Sequence, residues 1–144
     1  LKWYKDICEQ TKPAYAGKIR KVNVYVSGSS STFPHWKLVP AFLKEFFQWY
    51  NKSKGKIHPV ELAGLAHFRF VSIHPFGDGN GRISRLIMNN VLYKSGYPLL
   101  NIKFAERHNY YRALEKAHTK TEEIHFLKWF MKRYISEYLR HYKD

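Results

Sequence analysis

Between His74 and Arg85 the chain reads HPFGDGNGRISR, a histidine, one carboxylate and two arginines set among glycines. This is poor core material, but each member has a chemical use. The N–H groups of Gly79, Asn80 and Gly81 would open a helix, where unpaired donors and the positive end of the dipole suit a phosphate. Glycine lets that phosphate approach the main chain, and the Asn80 amide adds a donor. Arg82 and Arg85, three residues apart, share one helix face, so both guanidinium forks serve one phosphate chain. Asp78 would repel phosphates unless a cation lay between them, which is how Mg²⁺ is usually held. His74, near its ordinary pKa, takes a proton from a hydroxyl. Together these parts suit transfer of a phosphorus-centred group from a nucleotide to a hydroxyl.

Short glycine motifs are weak by themselves, because a tight turn or a structural His-Pro explains them equally well. The segment lacks the GxxxxGK[ST] of a P-loop, and no strand leads into it as a dinucleotide fold requires. Its neighbours are helical. HPVELAGLAHFRFVSI is apolar almost all round, the pattern of a central helix buried by its neighbours, with Pro59 near its start. It runs directly into His74, and Phe76 is expected to turn inward and anchor the loop. RISRLIMNNVLYKSG continues beyond the glycines as a helix that Gly96 ends.

LKWYKDICEQ, LVPAFLKEFFQWYNK, FAERHNYYRALEKAH and TEEIHFLKWFMKRYISEYLRHY carry helical periodicity as well. Lys21 to His35 differs. Val22, Val24 and Val26 alternate with Asn23 and Tyr25, and a Gly-Ser run follows, which predicts a hairpin-like flap. The expected architecture is therefore mainly α: about six helices with one small β-hairpin. The length suits one domain spanning residues 1–144. Leu1 is not an initiator methionine, so the chain reads as the core of a longer protein.

Net charge is +14, from 25 Lys and Arg against 11 Asp and Glu, which favours anionic partners. Lys128, Lys132, Arg133, Arg140 and Lys143 follow the spacing of a solvated helix face. No zinc spacing or RNA-recognition signature accompanies the charge, so no nucleic acid is expected; a basic binding module is the non-enzymatic alternative. No apolar run is long enough to span a bilayer, and no secretory signal opens the chain. The lone Cys8 cannot form an internal disulfide, in keeping with a reducing, cytoplasmic setting.

HPFGDGNGRISR resembles the Fic family signature H-x-F-x-[DE]-G-N-G-R-x-x-R at every specified position. LAHF, RLIMN, SGYP and YYRALEKA are similar in order and spacing to animal members, from about Gly17 to the last helix. The resemblance implies an all-α core with a β-hairpin flap over the active site, and transfer of AMP from ATP to a Ser, Thr or Tyr hydroxyl of a target protein. It makes His74 the general base and Asp78 the ligand of Mg²⁺ between the α- and β-phosphates. Gly79, Asn80 and Gly81 would form the anion hole, Arg82 would meet the outer phosphates, and Arg85 the γ-phosphate. Val26, Ser27, Gly28 and Ser29 would clamp the nucleotide and align the target as an added strand. Tyr110, Tyr111 and His118 fall on the adenosine side, His118 where animal members carry asparagine, which leaves base selectivity open.

The inhibitory motif [ST]-x-x-x-E-[GN] of the family has no match. Thr119 is followed by Glu123, but Ile124 breaks the pattern. An inhibitory helix before Leu1, an inhibitory partner protein, or no such restraint are the alternatives. Other transfers within the family, of phosphate, UMP, GMP or phosphocholine, and removal of AMP are the enzymatic alternatives. A lysine is typical of the phosphate-transferring members where Gly81 stands, which argues against them.

Overall fold

A computed structural model describes residue 6 and residues 17–139. The helix expected over the first ten residues, apart from residue 6, and Cys8, Arg140 and Lys143 lie outside the described residues.

Five α-helices make the body. A 3-10 turn at Trp36–Leu38 leads into α1, Val39–Ser53, whose Pro40 stands in the first turn where no helical N–H bond is lost. Its Val39, Leu43 and Phe46 are buried at the spacing of one face. Next comes α2, Pro59–Ile73, capped by the His58 ring, which accepts from Val60 N–H. Beyond the glycine loop runs α3, Asn80–Lys94. Gly96, at φ 75°, turns the chain out of it, and the Tyr97 N–H closes on the Leu92 carbonyl at 2.9 Å. A 3-10 turn, Phe104–Glu106, opens α4, Arg107–Lys120, and α5 spans Ile124–Leu139. None of the described helices is long and apolar enough to cross a membrane.

The all-round apolar character of α2 has a direct explanation. It separates two cores. One packs Ala66, Phe70 and Ile73 with Val39, Leu43 and Phe46 of α1, Ile83 of α3 and Phe76 of the loop. The other joins Val60, Ala63 and Phe68 to Met88 and Leu92 of α3, Tyr110 and Leu114 of α4, and Phe126 and Phe130 of α5. The helix bearing His74 at its end is thus the most enclosed element, and the loop after it inherits a rigid base.

The expected hairpin is not formed: the described residues contain no strand. Residues 21–35 run extended around a turn in which Ser29 N–H meets the Val26 carbonyl and Gly28 takes φ 76°. The alternating residues bury no common face, since Val22 and Tyr25 are 62% and 85% exposed. A two-stranded ribbon without an apolar face is marginal. Polar groups along this segment find partners elsewhere: Asn23 Oδ1 accepts from Trp36 N–H, and Ser30 N–H donates to Glu115 of α4.

Helix α2 comes close to α5 at Gly64, where an added Cβ would lie 2.5 Å from Cδ1 of the buried Phe130 ring. Gly64→Ala raises helix propensity by about 1 kcal/mol but overpacks a filled contact at about 1–3 kcal/mol. A lower thermal midpoint than that of the unchanged chain is expected in a melting experiment. A higher one would show that the two helices do not need this approach.

Candidate active site

The last residue before the loop sets the site. His74 caps α2 in the left-handed conformation, φ 50° and ψ 57°, which turns the chain sharply away from the helix axis. Its Nδ1 lies 3.1 Å from the Val71 carbonyl. A carbonyl only accepts, so Nδ1 carries the proton and Nε2 of the neutral ring keeps its lone pair. Burial lowers the His74 pKa; the Val71 bond acts against that shift and the Arg20 charge adds to it. Phe33, from the segment opposite, packs on the ring at 4.1 Å between centroids.

Arg20 is the buried cation behind His74. Its guanidinium donates to the carbonyls of His74 at 2.7 Å, Pro34 at 2.6 Å and Val22 at 2.9 Å, with a longer bond to Ile73. Its backbone N–H meets the Pro75 carbonyl at 3.0 Å. One side chain therefore closes the α2 C-terminus and ties both roots of the 21–35 segment to it.

The loop that follows is closed from within. Phe76 is 1% exposed. Its N–H donates to Asn80 Oδ1 at 2.9 Å, and its carbonyl accepts from Asn80 Nδ2 at 2.8 Å. The Asn80 side chain, expected to face a phosphate, is buried and shapes the loop instead. Gly79, at φ 81°, is the N-cap of α3, a position that favours glycine. The first-turn N–H groups of Asn80, Gly81 and Arg82 have no place in the α-helical ladder. Arg82 pairs with Asp78 one turn before it, at 3.2 Å.

A cavity of about 480 Å³ opens beside this helix start. His74, Gly81 and Arg85 form one wall, Tyr110, Tyr111 and His118 of α4 another, and Val26, Ser27, Gly28 and Ser29 the cover. Residues far apart in sequence thus meet around one space. Gly79, Asn80, Asp78 and Arg82 stand on the adjoining loop and first turn rather than in its lining. The volume lies in the range of small-molecule sites. Among the described residues no three His, Cys, Asp or Glu side chains cluster as a metal site. Mg²⁺ often relies on one carboxylate with phosphate and water oxygens, and the half-exposed Asp78 beside a helix N-terminus fits that manner of binding.

Comparison with known proteins meets the same motif. Residues 1–92 match the Fic/DOC family. This chain belongs to that family. It is 36% identical over 115 residues to "Protein adenylyltransferase Fic" of Nematostella vectensis, covering 79% of this chain and 26% of the relative. The protein of the same name from Aedes aegypti is 37% identical over 118 residues, covering 81% and 23%. The chain therefore spans about a quarter of the length of these relatives. The solved structure of Fic-1 from C. elegans superposes with a TM-score of 0.85 at 29% identity, covering 99% of this chain and 41% of that one.

Around the Fic motif, α4 supplies contacts that sequence reasoning missed. Glu115 accepts from both Ser30 N–H, at 2.9 Å, and Ser30 Oγ, at 2.8 Å. One turn on, His118 lies between Ser31 Oγ at 3.0 Å and Ser72 Oγ at 2.7 Å. Ser72 donates to the Phe68 carbonyl, so it accepts from His118 Nε2–H, and Nδ1 accepts from Ser31. His118 thus lines the cavity, yet both its nitrogens are taken. Burial, with the nearby His74, pushes its pKa down to about 4. The Ser-rich run signals a turn, but nothing local to it names Glu115 or His118 as its partners. Glu123, the glutamate of the broken inhibitory pattern, forms a fork with Arg69 at 2.8 and 2.7 Å.

A second layer holds Tyr110. Its hydroxyl meets His67 Nε2 at 2.9 Å in the core, and burial raises its pKa to about 12, against the pull of Arg85. His67 stacks on Phe126, and its Nδ1 has no partner among the described residues. A second proton on the ring would be buried unpaired, and burial with the Arg85 charge brings its pKa to about 3. Between pH 6.5 and these folded-state values the unfolded chain binds more protons at His67 and His118, so stability is full above pH 6.5 and falls on acidification. Each such histidine steepens the loss by about 1.4 kcal/mol per pH unit. His67→Gln is expected to start less stable at pH 7 but to lose less between pH 6 and pH 4.5, measured by denaturant unfolding. Equal slopes would refute the neutral buried ring.

Proposed function

We propose that this Fic protein is an adenylyltransferase: it moves AMP from ATP to a Ser, Thr or Tyr hydroxyl of a target protein and releases pyrophosphate. One observation carries the reading: His74 presents an unprotonated Nε2 at a cavity that also holds Arg85 and a helix start. The names of the curated relatives support it.

In this mechanism His74 Nε2 takes the hydroxyl proton as the oxygen bonds to the α-phosphorus. The bond from that phosphorus to the bridging oxygen breaks, and pyrophosphate leaves with the electron pair. Gly79, Asn80 and Gly81 serve through their backbone at the helix start, where donors meet the charge that grows on the α-phosphate. Arg82 and Arg85 serve the outer phosphates, Arg85 the γ-phosphate. Val26, Ser27, Gly28 and Ser29 cover the nucleotide, while Tyr110, Tyr111 and His118 bound its adenosine side. Asp78, exchanging Arg82 for the cation, would hold Mg²⁺, which supplies charge neutralisation for the phosphates.

Residues 1–144 are proposed as one Fic domain, acting in a cytoplasmic setting that suits the lone Cys8. Restraint by a glutamate brought to Arg85, from a partner or another segment, is part of the same proposal, because Glu123 is already held by Arg69.

With Mg²⁺ and cell lysate as acceptor, ATP labelled at the α-phosphate is expected to label protein, and ATP labelled at the γ-phosphate is not. His74→Ala should reduce the rate about 10²–10⁴-fold, the usual contribution of a positioned base. Label retained from the γ position would move the reading to a phosphotransferase.

The lowered pKa of His74 fixes the sign of the pH dependence. The base is active when neutral, so the acid limb of kcat/KM should fall below the ordinary histidine value of about 6.5. A limb at or above 6.5 in a pH–rate profile would be inconsistent with His74 as the buried base.

A further inference from the structure

A second, larger cavity of about 860 Å³ lies between α4 and α5. Arg112 and Lys116, one turn apart, line its α4 wall, and Lys132 lines the α5 wall; all three are exposed. None has an ion-pair partner among the described residues. The remaining lining groups differ in how far their charge is matched. Arg133 is paired with Glu106 and Glu137, and His125 meets Glu122, whereas Glu115 accepts only from the neutral Ser30 and keeps its negative charge. The groove therefore carries three unpaired positive charges against one carboxylate, Glu115 at its Ser30 end.

Its position links it to the first cavity. Glu115 lines both, and Ser30 lines the groove while its neighbours Ser29 and Ser31 line the nucleotide cavity. A chain lying in the groove would pass within one residue of the cover over the nucleotide.

We infer that this groove docks an acidic segment of the protein that accepts the nucleotide. The inference rests on the adenylyltransferase reading for the identity of its occupant, and on the unmatched charge for its chemistry. A polypeptide suits the groove better than a nucleic acid. Its one large aromatic, the half-buried Trp129, is already engaged with the rings of Tyr110 and Phe126, and the His125 ring is held by Glu122. The carboxylate of Glu115 at the flap end would also oppose a phosphate backbone, whereas spaced Asp and Glu side chains can reach Arg112, Lys116 and Lys132 and leave that end to neutral residues. Electrostatic docking of this kind raises the encounter rate and weakens with salt.

The test uses the whole chain and a fluorescein-labelled octaglutamate peptide followed by anisotropy. Binding that weakens with added salt is expected, with at least a tenfold loss in Arg112→Glu/Lys132→Glu. Affinity for a non-hydrolysable ATP analogue, measured in parallel, should be unchanged in that variant, which shows that the fold and the first cavity are intact. Among acceptor peptides, an acidic flank should lower KM about tenfold at unchanged kcat, and the double variant should erase the difference. Equal binding by the variant, equal binding of an octaglutamine peptide, or stronger competition by oligothymidylate of equal charge would each overturn the inference. Octaglutamate binding lost on charge reversal, with no label transferred to any acceptor, would keep the groove as an acidic-peptide site and reject the transferase reading instead.

Discussion

A single buried guanidinium holds the architecture of this site together. Arg20 gathers carbonyl groups from the α2 C-terminus and from both roots of the extended segment, and its own N–H binds Pro75. A helix C-terminus presents unpaired carbonyls and the negative end of a dipole, so a cation there satisfies both without needing a carboxylate. Arginine suits the task because its planar fork carries five donors and keeps its charge when desolvated. The left-handed turn at His74 depends on this clamp, since strained backbone persists only where its surroundings determine it. So does the approach of the cover to the cavity.

From that anchor the remaining groups follow in order of rigidity. Helix α2 lies between two cores, and its end cannot shift without disturbing both. The loop is locked to the start of α3 by the paired amide of Asn80 and the buried Phe76 ring. Asn80 thus acts at one remove, by holding the first-turn N–H groups where a phosphate could use them. Charged members are placed more loosely: Asp78 and Arg82 are half-exposed and neutralise each other. That contrast suits a site in which the main chain must be preorganised and the ions must exchange partners.

The cover is organised by α4 rather than by strand pairing. Glu115 and His118, three residues apart, take hold of the consecutive residues Ser30 and Ser31 from one helix face. The same helix brings Tyr110 and Tyr111 to the cavity and turns Arg112 and Lys116 to the opposite groove. One element therefore bounds both spaces. Its inner end is fixed by the contact of Tyr110 with His67 and Phe126 in the core.

The helical class, the buried helix before His74, and the helix start at the glycines were legible because their causes are local. Glycine at positive φ, proline in a first turn and apolar residues at helical spacing act within a few positions of one another. The Fic motif belongs to this local set, because all its members lie within residues 74–85. The expected hairpin does not form because alternation is local, whereas strand pairing needs a face to bury, and residues 21–35 have none. Arg20, Glu115, Phe33 and the two-sided engagement of His118 carry no local signature, since each reaches a partner 41 to 87 residues away. The sequence by itself determined the candidate site groups and the helix–loop–helix that carries most of them. Only the tertiary structure decided which side chains clamp that loop and close the cavity, because such contacts exist only once distant helices pack side by side.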